Sequence, residues 1–121
     1  MKIVSFTDLE AWREAHKLVL MIYQTTKSFP KEEQFGLTSQ IRRAAISVSS
    51  NIAEGFSRRS SLEKKQFYYQ ALGSLTETQN QLLVARDVGF ASNDEFKKMA
   101  DQSVAVGKLI NGLIKYVKNH T

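Results

Sequence analysis

The chain has 121 residues, 42% of them hydrophobic, and a formal net charge of +5 at pH 7. A chain of this length and composition can bury a hydrophobic core, so we expect one domain spanning residues 1–121. Because the sequence contains no cysteine, disulfides, thiolate metal sites and cysteine nucleophiles are excluded. The longest apolar run, Leu18 to Tyr23, is far shorter than the roughly 20 residues of a membrane span, and we see no signal-peptide pattern. We therefore expect a cytoplasmic protein.

The first helix is predicted from about Asp8 to Ser28. Its start is indicated by a capping box of Thr7 and Glu10, and its end by Pro30, since proline disfavours helix in the residue before it. Apolar residues recur every three or four positions, as expected for a helix with a wide buried face. The two rows are Leu9, Trp12, His16, Val19 and Tyr23, and Ala15, Leu18 and Ile22.

The second helix is predicted from about Thr38 to Phe56, after a connection at residues 30–36. Gly55 is expected at its carboxyl end, in the left-handed conformation that glycine adopts without a steric penalty. The apolar stripe predicted to enter the core is Leu37, Ile41, Ala44, Val48 and Ile52.

The second helix also carries a polar stripe, consisting of Gln40, Arg43, Ser47, Asn51 and Glu54. A solvated outer face is one interpretation of this stripe. The other interpretation is that the helix is largely enclosed, within the bundle or at a subunit contact, because Ile46 and Ala53 lie on the opposite side of the stripe. Enclosed charges need partners, and a hairpin of helices 2 and 3 would set Arg43 within about a turn of Glu77, so we hypothesise an ion pair between them.

The third and fourth helices are predicted at about Leu62 to Val88 and Asn93 to Asn119. Capping boxes open both, at residues 60–63 and 92–95, and Gly89 closes the third. The inner positions are Tyr68, Leu72, Leu75, Leu82 and Leu83 in helix 3, and Phe96, Met99, Ser103, Val106, Ile110, Leu113 and Val117 in helix 4. Short connections make successive helices antiparallel, so we predict an all-α, up-down-up-down four-helix bundle. Two hairpins exchanged within a dimer would use the same apolar faces.

Positive charge is concentrated between residues 38 and 65, which contain six cations and two anions, whereas the remainder has eleven cations and ten anions. Lys64 and Lys65 lie at the start of helix 3, where cations oppose the helix dipole, so phosphate contact explains them better than local stability. We predict a nucleic-acid site, with Phe56 and Phe67 as possible stacking rings if exposed. A solvated basic turn is the alternative. The predicted site consists of Arg42, Arg58, Arg59, Lys64 and Lys65.

The sequence offers little for catalysis. Its two histidines are His16, which we interpret as an interior or boundary residue, and His120, in a terminal tail. No nucleotide-binding glycine loop or HExxH motif occurs, and no base lies near the serines of helix 2 in sequence. We expect no enzymatic activity, no metal and no cofactor.

Residues 29–45 (FPKEEQFGLTSQIRRAA) and 50–56 (SNIAEGF) resemble the family of proteins encoded in intervening sequences of bacterial 23S ribosomal RNA genes, often labelled S23 ribosomal protein. The resemblance extends to Leu9, Trp12 and Ala15 upstream and to residues 73–77 downstream. It implies a four-helix bundle that assembles as a homopentamer, similar to the basic accessory protein of diversity-generating retroelements, which engages nucleic acid and a reverse transcriptase. By position, Arg42, Arg43, Asn51, Glu54 and Glu77 match the family's polar motif.

Two functional hypotheses follow. The first is a homo-oligomer that binds structured RNA through the basic cluster, repeated so that several weak phosphate sites act together. The second is a protein-interaction scaffold in which the polar stripe Gln40, Arg43, Asn51 and Glu54, with Glu77, forms a structural network or subunit contact. In that case the positive charge is incidental.

Overall fold

The structure is a computed structural model that describes residues 2–120, so Met1 and Thr121 of the predicted domain lie outside the described residues. Its four α-helices are α1 (Glu10–Thr26), α2 (Leu37–Ser57), α3 (Ser61–Asp87) and α4 (Asn93–Asn119). Short 3-10 helices at Phe6–Asp8 and Lys31–Glu33 precede α1 and α2. Residues 2–120 contain no strand, which confirms the all-α fold class.

The helices form a closed ring in which each packs against its neighbours in sequence and α4 returns to α1. The hydroxyls of Ser47 and Ser74 are hydrogen-bonded at 2.7 Å, whereas Lys64 lies 2.8 Å from the carbonyl oxygen of Phe56. Residues later in α2 thus face residues earlier in α3, which shows that the two helices are antiparallel. With short connections throughout, the chain forms the predicted up-down-up-down bundle.

All four helices contribute to one hydrophobic core. The predicted seam of α4 is confirmed, since Met99, Ser103, Val106, Ile110 and Val117 are buried, with Phe96 and Leu113 partly so. In α1 the second predicted row is the centre of the core: Ala15, Leu18 and Ile22 are at most 1% exposed. Two predicted core positions are wrong, because His16 and Leu83 are exposed. His16 instead stacks on Trp12, with ring centroids 4.7 Å apart.

The start of α1 differs from the prediction. Ser5 caps the 3-10 helix, and the carboxylate of Asp8 accepts hydrogen bonds from the backbone N–H groups of Val4 (2.9 Å) and Ser5 (3.0 Å). The capping box is therefore formed by Ser5 and Asp8, not by Thr7 and Glu10. The helix proper begins only at Glu10, because the chain turns through an extended Leu9 after the 3-10 helix.

The later caps agree with the prediction more closely. Ser92 and Glu95 form a complete capping box. Ser60 accepts from the backbone N–H of Glu63 at 3.1 Å, while the carboxylate of Glu63 contacts the Ser60 hydroxyl. Gly89 has the expected positive φ, 86°.

Gly55 was expected to end α2, and this is wrong, since the helix continues to Ser57. Gly55 is buried against α3, and a Cβ atom at this position would lie 2.6 Å from Cε1 of Tyr68. Glycine is thus required by the close approach of two helices rather than by a left-handed turn.

Candidate nucleic-acid interface

Antiparallel packing gathers three segments of positive charge at one end of the bundle: the α2–α3 turn, the first turn of α3 and the last turns of α4. We call this surface the basic end and define it by six cations, Arg58, Arg59, Lys64, Lys65, Lys115 and Lys118. Glu54 and Glu63 are the anions of the same segments. Residues 2–13, which lead into α1 and include its first turn, also lie at this end. They add two cations and two anions, so the excess of positive charge at the basic end does not change.

Arg58 is engaged by contacts within the chain. Its guanidinium pairs with the carboxylate of Glu54 at 2.9 Å and lies over the ring of Phe67, 4.7 Å from the centroid. Pairing with Glu54 partly neutralises Arg58, and the guanidinium covers one face of Phe67. A base cannot stack on that face unless Arg58 moves.

Lys64 also has a structural role. Its ammonium donates to the backbone carbonyl of Phe56 at 2.8 Å and, more weakly, to that of Gly55 at 3.4 Å. These are among the last carbonyls of α2, where a cation complements the helix dipole; the carbonyl of Gly55 also accepts from the backbone N–H of Arg58 at 3.2 Å. Burial lowers the pKa of Lys64. The interpretation that local stability does not explain Lys64 is therefore wrong.

Of the five cations in the predicted nucleic-acid site, Arg59 and Lys65 are the two that remain available to an external partner. Arg59 is exposed and Lys65 is half-buried. Neither takes part in the ion pairs or side-chain hydrogen bonds found among residues 2–120. Both can therefore neutralise an external phosphate without first breaking an internal contact.

Arg42 is not brought together with this cluster. It lies sixteen residues before Arg58, about 24 Å along α2 at the usual helical rise. Its Nε donates to the hydroxyl of Thr26 at 2.9 Å, and its guanidinium lies 4.5 Å from the centroid of Tyr23. The sequence grouped Arg42 with the basic turn, but the structure places it against α1 in the other half of the bundle.

Sequence reasoning missed the contribution of α4. Lys115 is exposed and Lys118 lies 5.9 Å from the ring centroid of Tyr69, which is half exposed. Tyr116 is 61% exposed and stacks on His120 at 3.9 Å. The antiparallel order alone would have placed these residues beside the α2–α3 turn, since the second and fourth helices of such a bundle end at the same level.

The polar stripe of α2 is not enclosed within the chain. Gln40, Arg43 and Glu54 are exposed, and only the middle of the stripe is half-buried. There the amide of Asn51 donates to the backbone carbonyl of Ser47 at 2.8 Å and to its hydroxyl at 3.1 Å. Enclosure of this stripe by the bundle itself was therefore a wrong expectation, whereas a subunit contact stays a prediction.

The hypothesised ion pair between Arg43 and Glu77 is not formed. Among residues 2–120 the ion pairs are Arg13–Asp8, Arg58–Glu54, Arg86–Asp87 and Lys97–Asp101. Arg43 and Glu77 are both exposed, and Glu77 accepts a hydrogen bond from Gln81 at 3.3 Å instead. Two solvated long side chains gain little from pairing, because solvent screens their attraction and the pair costs conformational entropy.

The two histidines are not brought together in the structure. His16 and His120 are exposed and stack on different aromatic rings, Trp12 and Tyr116. Within residues 2–120 no group of three His, Asp or Glu side chains is placed to hold a metal ion. No helix in this part of the chain is long and apolar enough to cross a membrane.

Comparison with known proteins agrees with the helical architecture. The model of the 23S rRNA-intervening sequence protein family matches residues 7–112. The chain belongs to this family. A crystal structure from Bacteroides thetaiotaomicron VPI-5482, of a protein with unknown function from the S23 ribosomal protein family, is similar with a TM-score of 0.77 and 19% sequence identity. The match covers 87% of this chain and 98% of the other.

The resemblance drawn from the sequence is thus confirmed for the 23S rRNA-intervening sequence protein family. At 19% identity, the solved structure supports the fold alone. No curated protein matches the chain.

Proposed function

We propose that this protein is a non-enzymatic homo-oligomer that binds RNA through its basic end. The observation that carries the proposal is the charge asymmetry between the two ends of the bundle. The basic end has six cations and two anions, whereas residues 27–45 and 86–101, at the opposite end, have seven cations and six anions. Core packing does not require such a separation of charge. The excess of positive charge attracts a polyanion to the basic end.

Three cations of the basic end are free to act on an external partner. Arg59, Lys65 and Lys115 take part in no ion pair or side-chain hydrogen bond among residues 2–120. Three phosphate contacts per chain give weak binding alone, so the proposal includes self-association, which multiplies the contacts on one RNA. A pentamer is the assembly that the family resemblance implies.

The test is a double charge reversal, Arg59→Glu with Lys65→Glu. We avoid Arg58 and Lys64 because their internal contacts would confound the result. We expect the affinity for a structured RNA to fall at least about tenfold at low salt, and the slope of log affinity against log salt to decrease by about two per bound chain. Light scattering is expected to show an unchanged assembly.

The matched control is Lys31→Glu with Lys98→Glu, which makes the same change in net charge at exposed positions of the opposite end. It should leave RNA affinity within about threefold of the original protein, since at the Debye length of about 8–10 Å the distant end is screened. Equal losses in both double variants would show that net charge alone governs binding. An absence of salt-dependent RNA binding in the unmodified protein would reject the proposal.

A second candidate function, a protein-interaction scaffold, is favoured by one observation. Phe35 is 90% exposed and, with Ile46 at 40%, borders a groove beside the polar stripe of α2. Exposed apolar side chains that border one groove form the kind of surface that a protein partner covers. If the charge reversal at Arg59 and Lys65 changes neither RNA retention nor assembly, this function is preferred.

A further inference from the structure

A cavity of about 420 Å³ opens at the basic end, between the N-terminal segment, the α2–α3 hairpin and the last turns of α4. Its volume lies within the roughly 300–1,000 Å³ typical of small-ligand sites. The lining residues are Ile3, Leu9, Phe56, Lys64, Tyr68, Leu113, Tyr116 and Val117. Most of the wall is therefore apolar, and three of these side chains are aromatic.

Two polar groups in this wall have spare hydrogen-bonding capacity. The ammonium of Lys64 has three N–H donors, and the carbonyls of Phe56 and Gly55 accept two of them. The hydroxyl of Tyr68 makes no hydrogen bond among residues 2–120. The hydroxyl is protonated at neutral pH and can donate a hydrogen bond, and burial raises the pKa of Tyr68 further from neutrality.

An exposed aromatic ring and several cations lie close to the cavity. Tyr116, on its wall, is 61% exposed; His120 stacks on one face of its ring, with centroids 3.9 Å apart, which leaves the other face for a base. Arg59, Lys65 and Lys115 are cations of the same end. An apolar slot with aromatic walls, a few donors and nearby cations matches the chemistry of an unstacked base joined to its phosphates.

We propose that this cavity receives one unpaired base of a single-stranded RNA, with Tyr116 stacking on the base and the neighbouring phosphates bound by the cations of the basic end. The inference rests on the proposed RNA-binding function and specifies its substrate class. A base in a duplex must first be unpaired and unstacked before it can enter. The cavity therefore favours single strands over duplexes, whereas the surface cations attract both.

The experiment compares the binding of one labelled single-stranded RNA with that of the same strand annealed to its complement, by fluorescence anisotropy at fixed salt. The unmodified protein is expected to prefer the single strand by about tenfold, because only the single strand can stack one base on an aromatic ring of the cavity. Tyr116→Ala is expected to remove most of this preference while duplex binding stays unchanged.

Tyr69→Ala is the matched control, because Tyr69 is also an exposed tyrosine of the basic end, at 50%, but does not line the cavity. This variant should retain the preference for the single strand. A second variant, Leu113→Phe, adds bulk to the cavity wall and should also lower single-strand affinity. Circular dichroism and thermal unfolding of each variant verify that the bundle is intact.

The outcomes separate the two proposals. If RNA binding is salt-dependent but Tyr116→Ala and Leu113→Phe leave the ratio of single-strand to duplex affinity unchanged, the cavity assignment is rejected and the basic end stands. If Tyr116→Ala alters the assembly seen by light scattering without changing that ratio, the cavity belongs to a contact between copies, and the assignment is rejected too. If neither RNA binds, both proposals are rejected.

Discussion

At the scale of single residues, the close contact of α2 with α3 depends on a missing side chain. Gly55 faces Tyr68, and a Cβ atom there would lie 2.6 Å from Cε1 and 2.9 Å from Cδ1 of the ring, and 3.1 Å from Cβ of Phe67. Tyr68 is itself buried, so its ring has little freedom to move away. The tight approach also brings Lys64 within reach of the carbonyl of Phe56, so this glycine supports the geometry of the basic end.

The residue-scale prediction is that Gly55→Ala destabilises the protein by about 1–3 kcal/mol, because the added methyl group overpacks the α2–α3 contact. Alanine normally stabilises a helix relative to glycine, so the sign of this effect is diagnostic. Urea unfolding followed by circular dichroism measures the free energy of unfolding.

Gly73→Ala provides the control, since a Cβ atom at this exposed position of α3 meets nothing within 4 Å. It should stabilise the protein by about 0.5–1 kcal/mol through helix propensity alone. Stabilisation by both substitutions would contradict the packing role assigned to Gly55.

At the scale of elements, the four helices differ in how they begin. The last two begin at a serine cap, Ser60 or Ser92, whereas α1 follows a capped 3-10 helix. Hydrogen bonds from the backbone N–H groups of Val4 and Ser5 lower the pKa of Asp8 below its ordinary value of 3.8, and Arg13 acts in the same direction. The attachment of the N-terminal segment, including the cavity residue Ile3, therefore depends on an ionised carboxylate.

The element-scale prediction concerns acid. Because the pKa of Asp8 is lower in the folded than in the unfolded state, its contribution to stability is present above about pH 4 and is lost as the pH falls through its folded-state pKa. Asp8→Asn removes this titration, so the variant should lose less thermal stability between about pH 4 and pH 2 than the unmodified protein. Thermal unfolding across this range measures the difference.

Asp94→Asn, an exposed carboxylate in the first turn of α4, serves as the comparison. It should leave the acid dependence of the melting temperature close to that of the unmodified protein. If Asp8→Asn shows the full acid-induced loss, the hydrogen bonds at Asp8 do not stabilise the fold.

At the scale of the whole molecule, the ring of helices closes through α4, which packs against both α3 and α1. One polar contact at this closure joins distant parts of the chain: the amide of Gln102 donates to the backbone carbonyl of Glu14 at 2.8 Å. A separate small cluster of Phe29, Ala85 and Ala91 seals the end opposite the basic end. Because all four helices share the main core, we expect them to unfold together.

The molecule-scale prediction is that Ile110→Ala, at a fully buried position of α4, costs about 2–5 kcal/mol through lost apolar contacts and a residual cavity. Val104→Ala, on the outer face of the same helix at 51% exposure, should change stability by less than about 0.5 kcal/mol. Chemical unfolding monitored by far-ultraviolet circular dichroism and by Trp12 fluorescence should give coincident transitions for each protein. Separate transitions would contradict a shared core.

The sequence by itself determined the four helices, their order and most of their buried faces, because helical periodicity and capping residues are local signals. It also located the α2–α3 turn as a basic element, with Arg59 and Lys65 in the place where the structure leaves them available. Its errors within helices, such as the exposed His16, arose where an amphipathic face is wider than the strip that neighbouring helices cover.

Only the tertiary structure decided which cations act together. Lys115 and Lys118 lie 55 to 60 residues after the α2–α3 turn (residues 58–60) in sequence and reach the same end because antiparallel helices return the chain to it. Lys64 became a cap for α2 and Arg42 a partner of α1, since each is within reach of specific oxygen atoms on a neighbouring helix. Hydrogen bonds and cavities depend on distances of a few ångströms between segments remote in sequence, and periodicity along one helix carries no information about those distances.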